Sequence, residues 1–229
     1  MRVSISLGGS LLTKNQGAKN YLKYARALRE LNDRGHKIVV VCGGGRPARD
    51  YIEVACELDA PREVQDRIGI LATHVNALLL IAALGRDADP RIHRTSGEVR
   101  KHLDDKILVG GGHMPGSSTD YRTVLFGRAI NAELIVNATD YGGVFDKDPS
   151  RNPDAKKYQS LTYDLLEKII RSRFKQVPGD YGLFDLKALK LAEKHRMRIV
   201  FVDGTDPEEI IRAVEGGHSG TVVSEHGLA

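Results

Sequence analysis

Three glycine runs stand directly behind short apolar stretches: Val3 to Leu7 lead into Gly8-Gly9-Ser10, Ile38 to Cys42 into Gly43-Gly44-Gly45, and Ile107 to Val109 into Gly110-Gly111-Gly112. Glycine lets backbone N–H groups approach an anion closely, and a helix starting just after such a turn adds the positive end of its dipole. Behind parallel strands, three such loops reach one edge of one sheet, where open α/β folds bind ligands. The chemistry this suits is recognition of a ligand with several phosphates, or of two phosphorylated ligands meeting end to end. A further segment, Met114-Pro115-Gly116-Ser117-Ser118-Thr119-Asp120, is dense in small hydroxyl groups and backbone donors just ahead of a predicted helix. Its Ser and Thr also suit a helix N-cap, and the two roles are compatible. Neither a G-x-x-x-x-G-K-[ST] phosphate loop nor the six-residue dinucleotide fingerprint occurs.

The elements that must carry these loops follow from periodicity. Short β-branched runs alternate with longer stretches of helical period, the pattern of βαβ units and a mostly parallel sheet. Helices are predicted through Tyr21, Leu22, Ala25, Leu28 and Leu31, from Arg46 to Leu58, and from about Glu63 to Leu84. The last of these is expected to bury Ile68, Leu71, Val75, Leu78, Leu79 and Ala82. From Gly85 to Asp105 only a short helix after Ser96 is legible. Strands are predicted at Leu134 to Ala138, Ile199 to Val202 and Thr221 to Val223, with helices from Thr162 to Phe174 and Asp185 to Arg196. Asp206-Pro207-Glu208-Glu209 combines an acidic N-cap, a proline and a capping-box glutamate.

At 229 residues with no Pro/Ser-rich linker, the chain reads as one domain of two lobes. The net charge of +4 is scattered among acids rather than gathered in blocks, which suits phosphate-binding positions and the steering of a small anionic substrate. No aromatic stacking motif accompanies the basic residues, so nucleic acid is not an expected partner. No apolar stretch reads as long enough to span a bilayer. The N-terminus runs straight into a strand, leaving no room for a signal peptide. Two cysteines, Cys42 and Cys56, form no framework, and a reducing cytoplasm is expected. Cys42 reads as a small buried hydrophobe.

Taken in order, Ser6-Leu7-Gly8-Gly9-Ser10, Gly43-Gly44-Gly45-Arg46, Thr139-Asp140-Tyr141-Gly142-Gly143-Val144-Phe145 and Asp146-Lys147-Asp148-Pro149 resemble the amino acid kinase superfamily. Within it the chain is most similar to the archaeal-type uridylate (UMP) kinases, and the resemblance extends through Asp185 to Lys190 and His218 to Val223. It implies a three-layer αβα, open, mostly parallel sheet of the carbamate kinase-like fold. An acceptor-binding lobe of about residues 1–130 and an ATP-binding lobe of about 131–229 are implied too, as is a cytoplasmic homohexamer. The implied reaction is reversible transfer of a phosphoryl group from ATP with Mg²⁺ to UMP, giving ADP and UDP in pyrimidine nucleotide biosynthesis.

The resemblance also implies roles for residues. Gly9, Ser10, Gly45, Arg49, Thr139, Phe145 and Asp148 fall at ATP-contacting positions, with Tyr141 a further aromatic wall. Gly44, Asp66 and the segment Met114, Pro115, Gly116, Ser117, Ser118, Thr119 and Asp120 fall at the UMP site, Asp66 on the ribose. Asp140 and Lys190 fall where an orienting acid and a charge-compensating lysine are expected. No protein metal ligand is implied. Positioning and charge compensation, not a protein nucleophile, are what phosphoryl transfer asks for.

The chain departs from the family pattern at four places. Ser6 stands where many members carry lysine, a loss commonly worth on the order of 3 kcal/mol of transition-state stabilisation. Gly142 replaces an aspartate, Asp140 an asparagine, and Leu186 a proline. Two alternatives therefore stay open from sequence: a superfamily kinase acting on a carboxylate, carbamate or isopentenyl phosphate, and a non-catalytic nucleotide-binding or oxyanion-storage protein.

Overall fold

Ile38, Val39, Val40 and Val41 are all fully buried, and alternate residues enter different cores: Ile38 and Val40 one, Val39 and Val41 another. A strand hidden on both faces needs helices above and below it. That requirement organises the molecule, described here from a computed structural model covering residues 1–14, 17–104, 106–149, 151–173 and 182–227.

The described strands are β1 (Arg2–Leu7), β2 (Lys37–Cys42), β3 (Ala88–His93), β4 (Ile107–Gly110), β5 (Leu134–Thr139), β6 (Ser160–Thr162), β7 (Ile199–Asp203) and β8 (Thr221–Ser224). They form one sheet in the order β3-β4-β2-β1-β5-β7-β8-β6. Every pairing is parallel except β7 with β8. The helices are α1 (Gly9–Thr13), α2 (Ala18–Asp33), α3 (Gly45–Glu57), α4 (Arg62–Leu84), α5 (Ser96–Lys101), α6 (Thr119–Ala129), α7 (Tyr163–Arg173), α8 (Leu186–Lys194) and α9 (Glu208–Glu215). The expected α/β three-layer arrangement is present. On one face α2, α4 and α9 close over Val3, Ile5, Val136 and Val200; on the other, α5 to α8 cover Val39, Leu108, Ile135 and Phe201.

Parallel strands joined by helices bring all their carboxyl ends to one edge. There β1, β2, β4 and β5 deliver the glycine runs and Thr139, and α1, α3 and α6 begin. Cys42 is buried and its thiol is pushed well above the usual range by desolvation, as a packing residue's would be.

Several expectations are corrected. β3 and β6 were not legible, and α4 presents a different face from the one predicted. Its buried residues are Thr73, Asn76, Ala77, Leu80 and Leu84, while Leu71, Val75, Leu78 and Leu79 are exposed. The apolar residues of α4 run nearly all round, so periodicity could not select the inward face. By length and composition alone, residues Arg62–Asp87 are long and apolar enough to cross a membrane, contrary to the sequence reading. Here the helix packs against α2, α3 and the sheet. Leu22 is exposed as well. Helix α9 begins one residue later than expected, with Asp206 Oδ1 accepting the Glu208 N–H at 3.1 Å. Phe174, the expected end of α7, lies outside the described residues.

Candidate active site

The first two glycine runs are pressed together backbone to backbone. A Cβ on Gly9 would lie 2.0 Å from the Gly45 nitrogen, so neither loop accommodates a side chain at that crossing. Gly45 also has φ +68°, a region that favours glycine. Asn76 of α4 fixes the second run from below: its Nδ2 donates to the Gly43 carbonyl at 2.7 Å and the Gly44 carbonyl at 3.2 Å, while Tyr21 Oη donates to its Oδ1. The third run is mostly a packing device. A Cβ on Gly111 would lie 2.6 Å from Thr73 Oγ1, and only Gly112 of that run reaches the cleft wall.

Above these loops lies a cleft of about 300 Å³. Gly9, Gly44, Gly45, Arg49, Asp66, Thr139, Met114, Gly116, Ser117, Ser118, Thr119 and Asp120 all line it. Pro115 is in the same loop but exposed and not on the wall. A second recess of about 360 Å³ holds Tyr141, Phe145, Asp148, Lys147 and Arg151. A third contains Ser10, Lys14, Arg46, Asp140 and Thr205. Leu183 is common to the first and second, and Arg49 to the first and third, so the three adjoin one another.

The loop from Met114 to Asp120 is tied down at both ends. Gly116 N–H donates to Asp66 Oδ2 at 2.7 Å, and its carbonyl accepts from Lys187 Nζ at 3.2 Å. Ser118 caps α6 by accepting the Tyr121 N–H at 3.0 Å, and donates to Asp185 Oδ2 at 2.5 Å. Asp185 in turn caps α8. The N-termini of α3 and α6 thus aim at the cleft, a favourable setting for phosphate oxygens.

Asp120 sits at the cleft floor. Its Oδ1 accepts from Ser6 Oγ at 2.9 Å and Asn137 Nδ2 at 3.2 Å. Burial, aided by the nearby Asp185 charge and opposed by those donors, raises its carboxyl to about 6. Asp140 lies beside Asp203, since Thr139 and Asp203 are register partners, and both charges bear on Tyr24.

Lys190 is not brought to the cleft. Its Nζ lies 2.6 Å from Glu167 and 2.9 Å from Glu193, pairing α8 to α7 on the exposed side. The cation of α8 that does reach the acceptor loop is Lys187. It escaped notice because one helical turn and the facing element, neither visible in the sequence, decide which lysine points inward. Thr73, Asn76 and Leu183 were also missed as wall or supporting residues, their only sequence signal being nearness to glycine runs or helix starts; Ser6, which reads from sequence as a departure from the family pattern, stands on the cleft wall.

The model of the amino acid kinase family matches residues 1–203. The chain is 37% identical over 227 residues to a uridylate kinase of Methanocaldococcus jannaschii, covering 97% of this chain and 99% of that one. It is 40% identical over 228 residues to a uridylate kinase of Methanococcus maripaludis, covering 98% and 100%. The crystal structure of uridylate kinase from Archaeoglobus fulgidus superposes with a TM-score of 0.86 at 33% identity, over 98% of this chain and all of that one. UMP kinase from Bacillus anthracis gives 0.84 at 26%, over 99% and 97%. With the family model spanning most of the sequence and the relatives matched end to end, this chain belongs to the amino acid kinase family.

Proposed function

We propose that this chain is a UMP kinase, transferring the γ-phosphoryl group of ATP to UMP to give ADP and UDP. The observation that carries the reading is that the acceptor cleft, beside the paired glycine loops, adjoins two further recesses, sharing Leu183 with one and Arg49 with the other. The full-length uridylate kinase relatives support it.

In this reading UMP occupies the first cleft. Asp66 takes the ribose hydroxyls, Gly44 and the Met114 to Asp120 loop hold the uracil edge and phosphate, and Pro115 stiffens that loop. ATP enters from the second recess, with Phe145 and Tyr141 against the base and Asp148 on the base or ribose edge. Gly9, Ser10, Gly45 and Thr139 offer donors to its phosphates. Arg49, on the wall of the first cleft and of the recess that holds Ser10 and Asp140, neutralises charge between the two ligands, a role that matches a guanidinium's forked donors. Asp140 orients groups around the transferred phosphoryl, and Lys187, rather than Lys190, is the nearest α8 cation. No protein nucleophile is required.

Among the described residues no group of three or more His, Cys, Asp and Glu could form a protein cage for a metal. That donor set fits Mg²⁺ held chiefly by nucleotide phosphates with one or two carboxylates, the role we assign to Asp140 in the recess beside Ser10. When bound, the ion offsets phosphate charge.

We infer an acceptor-binding lobe of about residues 1–130 and an ATP-binding lobe of about 131–229, with Gly9, Ser10, Gly45 and Arg49 of the first reaching the ATP phosphates. We also propose self-assembly, the homohexamer being the family expectation. Tyr51 and Val54 of α3 and Leu58 just after it, with Leu71, Val75 and Leu78 of α4, are exposed apolar residues that a second copy would cover. The unpaired Cys42 and Cys56 agree with a cytoplasmic setting.

Incubating purified protein with ATP, Mg²⁺ and a panel of nucleoside monophosphates, and following ADP release, tests the proposal. Turnover is expected with UMP. Turnover with a different acceptor and none with UMP would overturn it, and binding without any turnover would favour the non-catalytic alternative.

A further inference from the structure

Two recesses of about 410 and 470 Å³ adjoin one another, sharing Arg100, Arg128, Ala129 and Asn131 as a common wall. Arg2 belongs to the first and His195 to the second. Arg2 opens β1 and Asn131 stands just ahead of β5, so both lie at the amino ends of parallel strands whose carboxyl ends face the nucleotide cleft. Helix α6 spans the distance between: Asp120 of its first turn is on the cleft wall, and Arg128 of its last turn is here. Arg100 Nε donates to the Ala129 carbonyl at 3.3 Å, which fixes this guanidinium at the shared wall. Among the described residues the side chains of Arg2 and Arg128 meet no carboxylate or other hydrogen-bond partner, and no Asp or Glu lines either recess. Glu133, next along the chain, accepts the Arg2 backbone N–H at 3.0 Å.

Cations in the last turn of a helix offset its dipole, and Arg100 and Arg128 do so for α5 and α6. That task does not use up the charge. The carboxyl ends of α5, α6 and α8 bring about half a negative charge each, against three full guanidinium charges. Three like charges around one hollow repel one another, and an anion seated among them removes that cost. We propose that Arg2, Arg100 and Arg128 form a second anion site, remote from the nucleotide cleft, that takes a chain of two or more phosphate groups, either free or carried by a nucleotide. Forked guanidinium donors match phosphate oxygens, and the two adjoining recesses leave room for more than one phosphate. The proposal does not depend on which acceptor the cleft takes.

Calorimetric titration of tripolyphosphate into the full chain at fixed ionic strength tests this, alongside three variants. Arg2→Gln with Arg128→Gln removes two of the site's cations without breaking a side-chain hydrogen bond among the described residues. Arg49→Met alters the cleft instead, and Arg26→Gln with Arg86→Gln removes the same charge from residues that line none of the recesses. Affinity is expected to fall about tenfold or more in the first variant, as loss of charge-assisted hydrogen bonds implies, with a binding event retained in the other two. Inorganic phosphate is expected to bind the unsubstituted chain about tenfold or more weakly than tripolyphosphate, and equal binding would overturn the assignment to a phosphate chain. An ATP stoichiometry that falls by one molecule per chain in Arg2→Gln with Arg128→Gln identifies the nucleotide as the carrier; an unchanged stoichiometry identifies the free chain. Should that double variant melt below the parent, Arg128→Gln alone carries the comparison. Tripolyphosphate binding that is lost only in Arg49→Met, is weakened equally in both double variants, or is absent from the unsubstituted chain overturns the proposal.

Discussion

Ser6 Oγ donates to Asp120 Oδ1 at 2.9 Å, so the position at which the family resemblance leads one to expect lysine is bonded here to a cleft carboxylate through a hydroxyl. A neutral donor leaves that carboxylate short of compensation. Its ionisation is raised to about 6, burial being the main cause. A group whose native value exceeds its unfolded one contributes stability that is complete below the unfolded value and is lost as pH rises through the native one. Asp120→Asn removes this dependence. Its stability relative to the parent, measured by urea titration, is expected to rise between pH 4 and pH 8 by up to about 3 kcal/mol. The same ionisation is expected as an acidic limb near pH 6 in kcat/KM, missing from Asp120→Asn. A parallel pH profile for the two proteins would remove Asp120 from this role.

Lys187 and Lys190 lie one helical turn apart on α8 and meet different partners. Lys187→Met breaks the link to the Gly116 carbonyl and is expected to raise the acceptor KM by roughly threefold with kcat nearly unchanged, the size of one exposed hydrogen bond. Lys190→Met removes a surface ion pair with Glu167 and Glu193, worth about 1 kcal/mol or less, and should leave both constants as they were. Steady-state kinetics on the pair decide between them, and a collapse of kcat confined to Lys190→Met would restore the family-based assignment.

Asn76 supports the glycine crossing from below. Asn76→Leu leaves two loop carbonyls and the Tyr21 hydroxyl without their partner and is expected to destabilise the protein by about 2–4 kcal/mol. Gly9→Ala is expected to be at least as severe, because its Cβ meets backbone rather than a movable side chain. Calorimetric melting of both variants checks this; near-parental melting would show that the loops do not depend on the crossing.

Helices α3 and α4 and the residue that follows α3 carry exposed Tyr51, Leu58, Leu71 and Leu78. If a second copy covers it, Leu71→Glu with Leu78→Glu lowers the mass measured by light scattering. An unchanged mass would place the assembly contact elsewhere.

Much of this was legible in the chain because parallel strands buried on both faces leave continuous β-branched runs, and those of β1, β2 and β4 lead straight into glycine. The same physics hid the rest. The apolar residues of α4 surround the helix, so its inward face is chosen by α2 and the sheet, not by its own pattern. β3 carries Asp89, Pro90 and Arg91 on an edge strand, where polar residues and proline are tolerated and the strand signal fades. At the site, the glycines and the Met114 to Asp120 loop were visible by type and order. The roles of Asn76, Ser6 and Lys187 were not, because they arise from partners 33, 114 and 71 residues away in the chain.

The account rests on two nucleotides meeting where adjoining recesses face the paired glycine loops. Chromatography of products from purified protein, ATP and UMP tests it most directly. UDP and ADP formed in equal amounts, both lost in Arg49→Met, are the predicted result; ADP appearing without UDP would contradict it.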